Sequence, residues 1–371
     1  MSVYAKRREK LYDWMARESI ALVIFEDAEK RRDASVRWLS GHPHDAMLFL
    51  SVEQKSLLVP WDINQAKLFA DVDLAVPYSE FSRHPLMAAA GAAEQFRLPK
   101  GSKVEISPAT SYPSFLKYVE ALDGFDVICR ERGIWAETER LRAFKDEEEI
   151  GIYRKAAEIT NTVIDLLEKH VRSGKIKTEA DAAVFIEIEG RKRGCEGTGF
   201  ETLAAGPERS FGIHAFPPYT GAPFGGKGLS ILDFGLKFAG YTTDVTLTFA
   251  NSPAAAQERL LALTERAYRL GLSMTENGRP AREIAAAVDA LFGKSKKTMP
   301  HGLGHGIGLE EHENPQVRNR DDNEWILEPG MIFTLEPGLY DPVHGGCRLE
   351  NDILLTESGP EILTKARIIR L

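Results

Sequence analysis

Apolar residues recur at helical spacing from Tyr4 to Ser19, with Leu11, Trp14 and Met15 on one face, and this spacing predicts an amphipathic helix. Ala21-Leu-Val-Ile-Phe25 follows as an unbroken apolar run of strand length, and Met47-Leu-Phe-Leu50 and Ser56-Leu-Leu-Val59 repeat that signature. A helix-like stretch around Ile63 to Phe69 and further strands near Val104 to Ile106 and Val127 to Cys129 complete a small α/β pattern. Between Ile134 and Glu149 the composition shifts to Glu, Arg and Lys. A long helical stripe then opens at Ile150, Tyr153, Ala156, Ala157, Thr160, Val163, Ile164 and Leu167. The chain therefore divides into an N-terminal α/β domain, residues 1–137, and a second domain, residues 138–371.

In the second domain the patterns predict helices near 147–171, 178–194, 253–277 and 280–292. Strands are expected near 199–205, 229–249, 299–309, 331–336 and 346–356. They come as hairpins instead of alternating singly with helices, which predicts an α+β domain built on antiparallel sheet.

The length of 371 residues agrees with two domains of ordinary size. Apolar residues at 43% and charged residues at 27% exclude a collagen, a mucin or a largely disordered chain. The longest apolar runs fall far short of the roughly 20 residues that a membrane-spanning helix needs, so no membrane association is expected. The N-terminus enters a charged amphipathic pattern instead of an apolar signal core, which points to the cytoplasm. A net charge of −8 argues against a nucleic-acid partner, and the short basic clusters at Lys6 to Arg8 and Lys294 to Lys297 read as solvated helix faces. Three widely spaced cysteines, Cys129, Cys195 and Cys347, form no metal knuckle or disulfide pattern.

The chemistry gathers in the hairpins. A turn closing midway between Asp233 and Asp244 would set the two carboxylates opposite each other, with Cβ atoms roughly 4.5 to 5.5 Å apart. Bare carboxylates on an apolar sheet repel, so something positive is expected between them. A second hairpin carries Glu336 at the end of one strand and Glu350 within the other, with Arg348 on the face of Glu350. In His301-Gly-Leu-Gly-His305-Gly-Ile-Gly-Leu309 an extended chain would put His301, Leu303, His305 and Ile307 on one face, and the alternating glycines would let another element approach. That many glycines also make a zincin helix untenable. Four carboxylates and a histidine form a hard, oxygen-rich ligand set suited to Mn2+, Co2+ or Fe2+. Carboxylates that bridge would favour a pair of ions about 3.5 to 4 Å apart, which is the apparatus of hydrolysis.

The motifs Asp233-Phe-Gly, Thr243-Asp-Val-Thr, Gly304-His-Gly-Ile-Gly, His312-Glu-Asn-Pro, Leu335-Glu-Pro-Gly and Arg348-Leu-Glu resemble those of the pita-bread metallopeptidases. This group contains Xaa-Pro dipeptidase (prolidase), aminopeptidase P, methionine aminopeptidase and creatinase. Arg37-Trp-Leu-Ser-Gly41 resembles their N-terminal domain signature, and Leu141-Arg-Ala-Phe-Lys-Asp-Glu-Glu-Glu-Ile150 their interdomain entry, so the likeness covers nearly the whole chain. It implies a pita-bread catalytic domain with an antiparallel sheet and covering helices, preceded by a smaller creatinase-type domain that shapes substrate access and dimerises. It also implies two divalent metal ions per subunit, Mn2+ first, with Co2+, Fe2+ or Zn2+ as alternatives. Asp233 would chelate one ion, His305 and Glu336 the other, and Asp244 and Glu350 would bridge them around a hydroxide nucleophile. Glu336 would also move the proton from the attacking water to the leaving nitrogen. His214 and His312 would steady the substrate and the tetrahedral intermediate. His301, Tyr340 and Arg348 would form an outer shell, with Arg348 pairing with a bridging carboxylate or with a substrate carboxylate.

Two departures bear on the substrate: Leu247 stands where many proline-specific relatives carry arginine, and Ile213 precedes His214 where proline is common. The stretch Pro217 to Gly226, rich in proline and glycine, is expected to line the pocket. The leading expectation is a cytoplasmic, homodimeric metallopeptidase, an Xaa-Pro dipeptidase or aminopeptidase acting on small peptides. A creatinase-like hydrolase of a small non-peptide amide and an inactive peptide-binding protein are the alternatives.

Overall fold

The computed structural model describes residues 1–371 and separates them into two units, Met1–Leu141 and Arg142–Leu371. The boundary expected after residue 137 falls within helix α6 (Ile134–Arg142). No helix is long and apolar enough to cross a membrane.

In the first unit, Ser2 caps α1 (Val3–Glu18) by accepting from the Ala5 amide, and the helix buries Leu11, Tyr12 and Met15. The unbroken apolar runs become β1 (Leu22–Asp27), β2 (Ala46–Ser51) and β3 (Lys55–Pro60), an antiparallel meander. With β4 (Leu74–Ala75), β5 (Lys103–Ile106) and β6 (Asp126–Ile128) they form a six-stranded sheet in the order β4-β3-β2-β1-β5-β6. Around it run α2 (Ala34–Ser40), α3 (Ile63–Phe69), α4 (Pro85–Gln95) and α5 (Tyr112–Ala121). No helix was predicted over α4, whose alanine-rich sequence has no polar stripe; it buries Ala88, Ala89, Ala92 and Ala93.

The second unit opens with α7 (Glu147–Arg172), whose start is set by a capping box between Asp146 and Glu149. Its apolar stripe joins α8 (Glu179–Lys192), α9 (Ala255–Met274) and α10 (Ala281–Lys294) around the core. The strands are β7 (Gly197–Thr198), β8 (Leu203–Ala205), β9 (Gly228–Phe234), β10 (Leu236–Phe238), β11 (Tyr241–Thr242) and β12 (Val245–Asn251). They continue as β13 (Gly304–Gly306), β14 (Glu313–Val317), β15 (Ile332–Leu335), β16 (Gly338–Asp341), β17 (Gly345–Arg348), β18 (Asn351–Thr356), β19 (Gly359–Ile362) and β20 (Ile368–Arg370). Two sheets dominate, ordered β20-β12-β9-β8 and β14-β13-β15-β18-β19. All but the β12–β20 pair in these two sheets is antiparallel, in keeping with the expected α+β class.

Register decides where the acids go, and here the first hairpin corrects the expectation. Lys237 pairs with Thr242 and Phe238 with Tyr241, so the chain turns at Ala239-Gly240, both at positive φ, one residue later than symmetry about the two aspartates requires. The displaced turn shifts the pairing by two residues: Asp233 faces Thr246, and Asp244 lies diagonal to it, just before β12. The second hairpin brings its two acids level. Leu335 pairs with Asn351 below the acids and Gly338 with Arg348 above them, which sets Glu336 and Glu350 level at a break in both strands.

Alternation along β12 sends Thr246 and Thr248 to one face and Val245, Leu247 and Phe249 into the core. Leu247 is fully buried there. Truncating it creates a core cavity, so Leu247→Ala is expected to lower the unfolding free energy by about 2–5 kcal/mol, measured by urea denaturation.

Candidate metal centre

Strands β9 and β13 and the ends of β12, β15 and β18 converge on one cavity of about 500 Å³. Its lining includes Asp233, Asp244, His305, Glu336 and Glu350, together with His214, His301, His312 and Arg348. Asp244, His305 and Glu350 are buried, and their ligand atoms lie within 4.8 Å of one another. Glu336 adjoins this group, with Oε1 at 3.7 Å from His305 Nε2, the same distance as Asp244 Oδ2. Asp233 lies on the neighbouring strand β9 and joins the cluster through Arg348.

Each side chain is held by its backbone. The Asp244 amide donates to both carboxylate oxygens of Asp352, at 3.1 and 3.2 Å. The Glu350 amide donates to the Thr246 carbonyl at 3.2 Å, and the Thr246 hydroxyl returns a bond to Glu350 Oε2 at 2.7 Å. Glu336 is tied by its amide to the Leu303 carbonyl at 2.8 Å. The glycines beside His305 are required by close approach: a Cβ on Gly304 would meet the Thr334 carbonyl oxygen at 1.9 Å, and one on Gly306 the Asn314 oxygen at 2.0 Å. The histidine run does not extend evenly, however. Only residues 304–306 are strand and the register shifts after His305, so Leu303 packs into the core while His301 and His305 face the cavity.

The hydrogen bonds fix the tautomer of His305. Its Nδ1 lies 3.0 Å from the Gly306 carbonyl, which only accepts, so Nδ1 carries the proton and the lone pair of Nε2 faces two carboxylates. Burial and the neighbouring His312 hold His305 down to about 4, so it stays neutral. Burial, then the Glu350 and Asp233 charges, raise Asp244 well above the ordinary carboxylate range. Burial and Glu350 likewise raise Glu336, and burial with Asp233 pushes Glu350 up to about 7. Asp233 Oδ1 is buried without a hydrogen-bond partner. A lone pair aimed between carboxylates, mutual repulsion among the acids and an orphaned oxygen all fit a divalent cation.

Arg348 is the buried counter-charge, and it corrects an expectation. Its Nη2 pairs with Asp233, where a partner among the bridging acids or the substrate had been expected. Nε donates to Thr246 at 2.8 Å, and Nη1 to the Ile213 carbonyl at 3.1 Å and the Tyr340 hydroxyl at 2.7 Å. Tyr340 in turn contacts His301 Nε2 at 3.0 Å, and His301 Nδ1 meets the Gly302 carbonyl at 2.8 Å. His214 sits on a loop whose flanks are held by buried Glu179, which accepts from the Gly206 amide at 2.7 Å and the Thr220 amide at 2.8 Å. The His312 ring packs over that of His305, with centroids 4.3 Å apart. Of the stretch Pro217 to Gly226, Pro218 lines the cavity. Leu247 does not line it, whereas Ile213 does.

Two supports escaped sequence reasoning. Asp352 shares the strand face of Glu350 at period two, a signal that was present but unread. Glu313 is buried with Arg142 and Lys145: Arg142 pairs with Glu313 and, at 2.8 Å, with Glu310, and Lys145 Nζ lies 3.3 Å from Glu313. Burial alone would raise the Glu313 carboxyl, but these two cations hold it below its ordinary value. The pairing anchors the segment that carries His312 and spans too much sequence for any local pattern to reveal.

Residues 151–357 match the model of metallopeptidase family M24. The chain belongs to metallopeptidase family M24. Membership of this family implies divalent metal ions, in agreement with the buried donors. An Xaa-Pro dipeptidase of Pyrococcus horikoshii is 27% identical to this M24 chain over 374 residues, covering 98% of each. An uncharacterized peptidase of Methanocaldococcus jannaschii is 32% identical over 230 residues, and the chain spans 65% of that relative's length. Among solved structures, an X-Pro aminopeptidase from Thermotoga maritima superposes with a TM-score of 0.84 at 24% identity, covering 98% of this chain and 99% of that one. The prolidase from Pyrococcus horikoshii gives 0.82 at 24% identity, with 98% and 99% covered. Their pita-bread fold is the fold of this M24 chain.

The acids make stability depend on pH. Glu350 titrates at 4.5 when unfolded and at about 7 in the folded, metal-free site. The folded state therefore binds the extra proton between those values, and its stability falls as pH rises through that window. Metal-free protein is expected to melt at progressively lower temperature from acid to neutral pH. Saturating Mn2+ should raise Tm more at about pH 7.5 than at about pH 5, because protons compete for the ligands. Calorimetry at the two pH values, with and without metal, checks both expectations.

Proposed function

We propose that this M24 metallopeptidase hydrolyses the Xaa-Pro bond of dipeptides or short peptides, using two divalent ions, Mn2+ first, held by Asp233, Asp244, His305, Glu336 and Glu350. The neutral His305, with its free lone pair between buried carboxylates in a peptide-sized cavity, carries this reading. The full-length likeness to the Pyrococcus horikoshii Xaa-Pro dipeptidase supports the substrate class and does not favour the small-amide or inactive alternatives. When bound, the ions would acidify a water and polarise the scissile carbonyl.

The chain's own groups would do the rest. Glu336, buried and raised in pKa, takes a proton from the attacking water at a carboxylate oxygen as the water oxygen bonds to the carbonyl carbon. It then passes that proton to the proline nitrogen as the C–N bond breaks, so the acid and amine products balance the water consumed. His214 and His312, at the cavity wall, hydrogen-bond the carbonyl oxygen as it gains charge. His301, Tyr340 and Arg348 form a relay of hydrogen bonds that runs from the Gly302 carbonyl to Asp233 and holds that carboxylate in place. In this reading residues 1–137 shape access to the cavity and mediate a cytoplasmic homodimer.

A panel of Xaa-Pro dipeptides with Mn2+ should show turnover by the purified protein. Asp244→Ala removes a ligand and is expected to reduce kcat/KM by more than about 100-fold, beyond what loss of an outer-shell partner costs. Full activity in that variant would sink the assignment.

A further inference from the structure

A second cleft, of about 450 Å³, lies outside the catalytic cavity and shares no lining residue with it. Helix α9 contributes Arg259 and Arg266, the segment after α10 contributes Ser295 and Lys297, and the turn between β16 and β17 contributes Asp341 and His344. That turn is fixed in place. Asp341 Oδ1 accepts from the Val343 and His344 amides at 3.0 and 3.1 Å, and Gln257 of α9 donates to the His344 carbonyl at 2.8 Å. Strand alternation gives Tyr340 to the relay around Arg348 and the next residue, Asp341, to this cleft.

The charges of the cleft do not cancel. Lys297, the last residue of a basic cluster that the sequence pattern assigns to a solvated helix face, is half-buried and lies 3.2 Å from Asp341. Arg259 and Arg266 have neither a hydrogen-bond nor an ion-pair partner. They stand two turns apart on α9, about 10 Å along its axis, and buried Leu260 and Leu263 line the cleft between them. The acids beside them in sequence act elsewhere: Glu258 binds Arg370 at 2.7 and 2.9 Å, and the charge of Glu265 also acts on Arg370. Three cations against one carboxylate leave an excess of two positive charges, in a chain whose net charge is −8.

Unpaired guanidinium groups in a concave site attract an anion, and their planar forks match phosphate oxygens two at a time. A phosphate monoester brings a charge of about −1.5 to −2 and three acceptor oxygens, which offsets the excess. The volume falls within the range of small-molecule sites, about 300–1,000 Å³, so there is room for an organic body as well as the phosphate. An extended polyanion would be repelled by the rest of this acidic chain. We propose that this cleft binds a small organic phosphate monoester, its phosphate held by Arg259, Arg266 and Lys297 and its carbon body set against Leu260 and Leu263.

Calorimetric titration of the manganese-loaded full-length enzyme with AMP, inorganic phosphate and adenosine tests this. AMP is expected to bind with a Kd below about 1 mM, and phosphate and adenosine each at least about 10-fold more weakly, because each lacks one part of the contact. Arg259→Ala and Arg266→Ala should each weaken AMP by about 10- to 100-fold, the range of a charge-assisted hydrogen bond. Asp244→Ala, which alters only the catalytic cavity, should leave AMP affinity within about twofold. Loss of AMP binding in Asp244→Ala would place the phosphate on the metal ions and overturn the proposal. Unchanged affinity in both arginine variants, or no binding of AMP or phosphate to wild type, would overturn it as well. Adenosine binding as tightly as AMP would overturn the role of the phosphate, and phosphate binding as tightly as AMP that of the organic body.

Discussion

Gathering like charges out of water is the constraint on which the second unit is built. Asp233, Asp244, Glu336 and Glu350 converge on one cavity with a neutral histidine, and burial with the neighbouring negative charges pushes Asp244, Glu336 and Glu350 toward protonation. Such an arrangement is unfavourable unless positive charge is supplied. Arg348 supplies part of it, bound to Asp233 and held by Thr246, Ile213 and Tyr340. A metal pair would supply the rest, and would do so where His305 already presents an unprotonated nitrogen.

The surrounding sheets keep the acids from relaxing apart. Asp244 hangs from Asp352, Glu350 from Thr246 and Glu336 from Leu303, so the acids are fixed through their own backbone amides, which donate to acceptors on neighbouring segments. The glycines flanking His305 let β13 run so close to its neighbours that no side chain would fit. Behind this layer α7, α9 and α10 bury the other faces of the same strands, and the core residues Val245, Leu247 and Leu335 alternate with the site residues Thr246, Thr334 and Glu336. Packing and chemistry are thus two faces of one set of strands, and the rigidity of the first fixes the geometry of the second.

Charge also organises the periphery. Arg142 and Lys145, buried with Glu313, anchor the segment bearing His312, and Glu179 secures the loop bearing His214. Both histidines therefore rest on segments pinned by buried carboxylates. Membership of family M24 explains why metal chemistry belongs in this cavity.

Local pattern was enough for much of this protein. Apolar stripes located α1, α7, α8, α9 and α10 to within a few residues, because burial of one helix face imposes a period that a single segment displays. The five residues expected to hold metal, which the fold brings to one cavity, stood out because carboxylates on apolar strands and a histidine between glycines are unusual in a folded core. Tertiary structure alone decided the rest. The turn at Ala239-Gly240 moved Asp233 off Asp244 by two residues, since register depends on turn geometry and not on the symmetry of the sequence. Arg348 chose Asp233, and Arg142 met Glu313, through contacts between residues 115 and 171 positions apart. Such pairings are set by how strands and helices stack, and the chain records them only once it is folded.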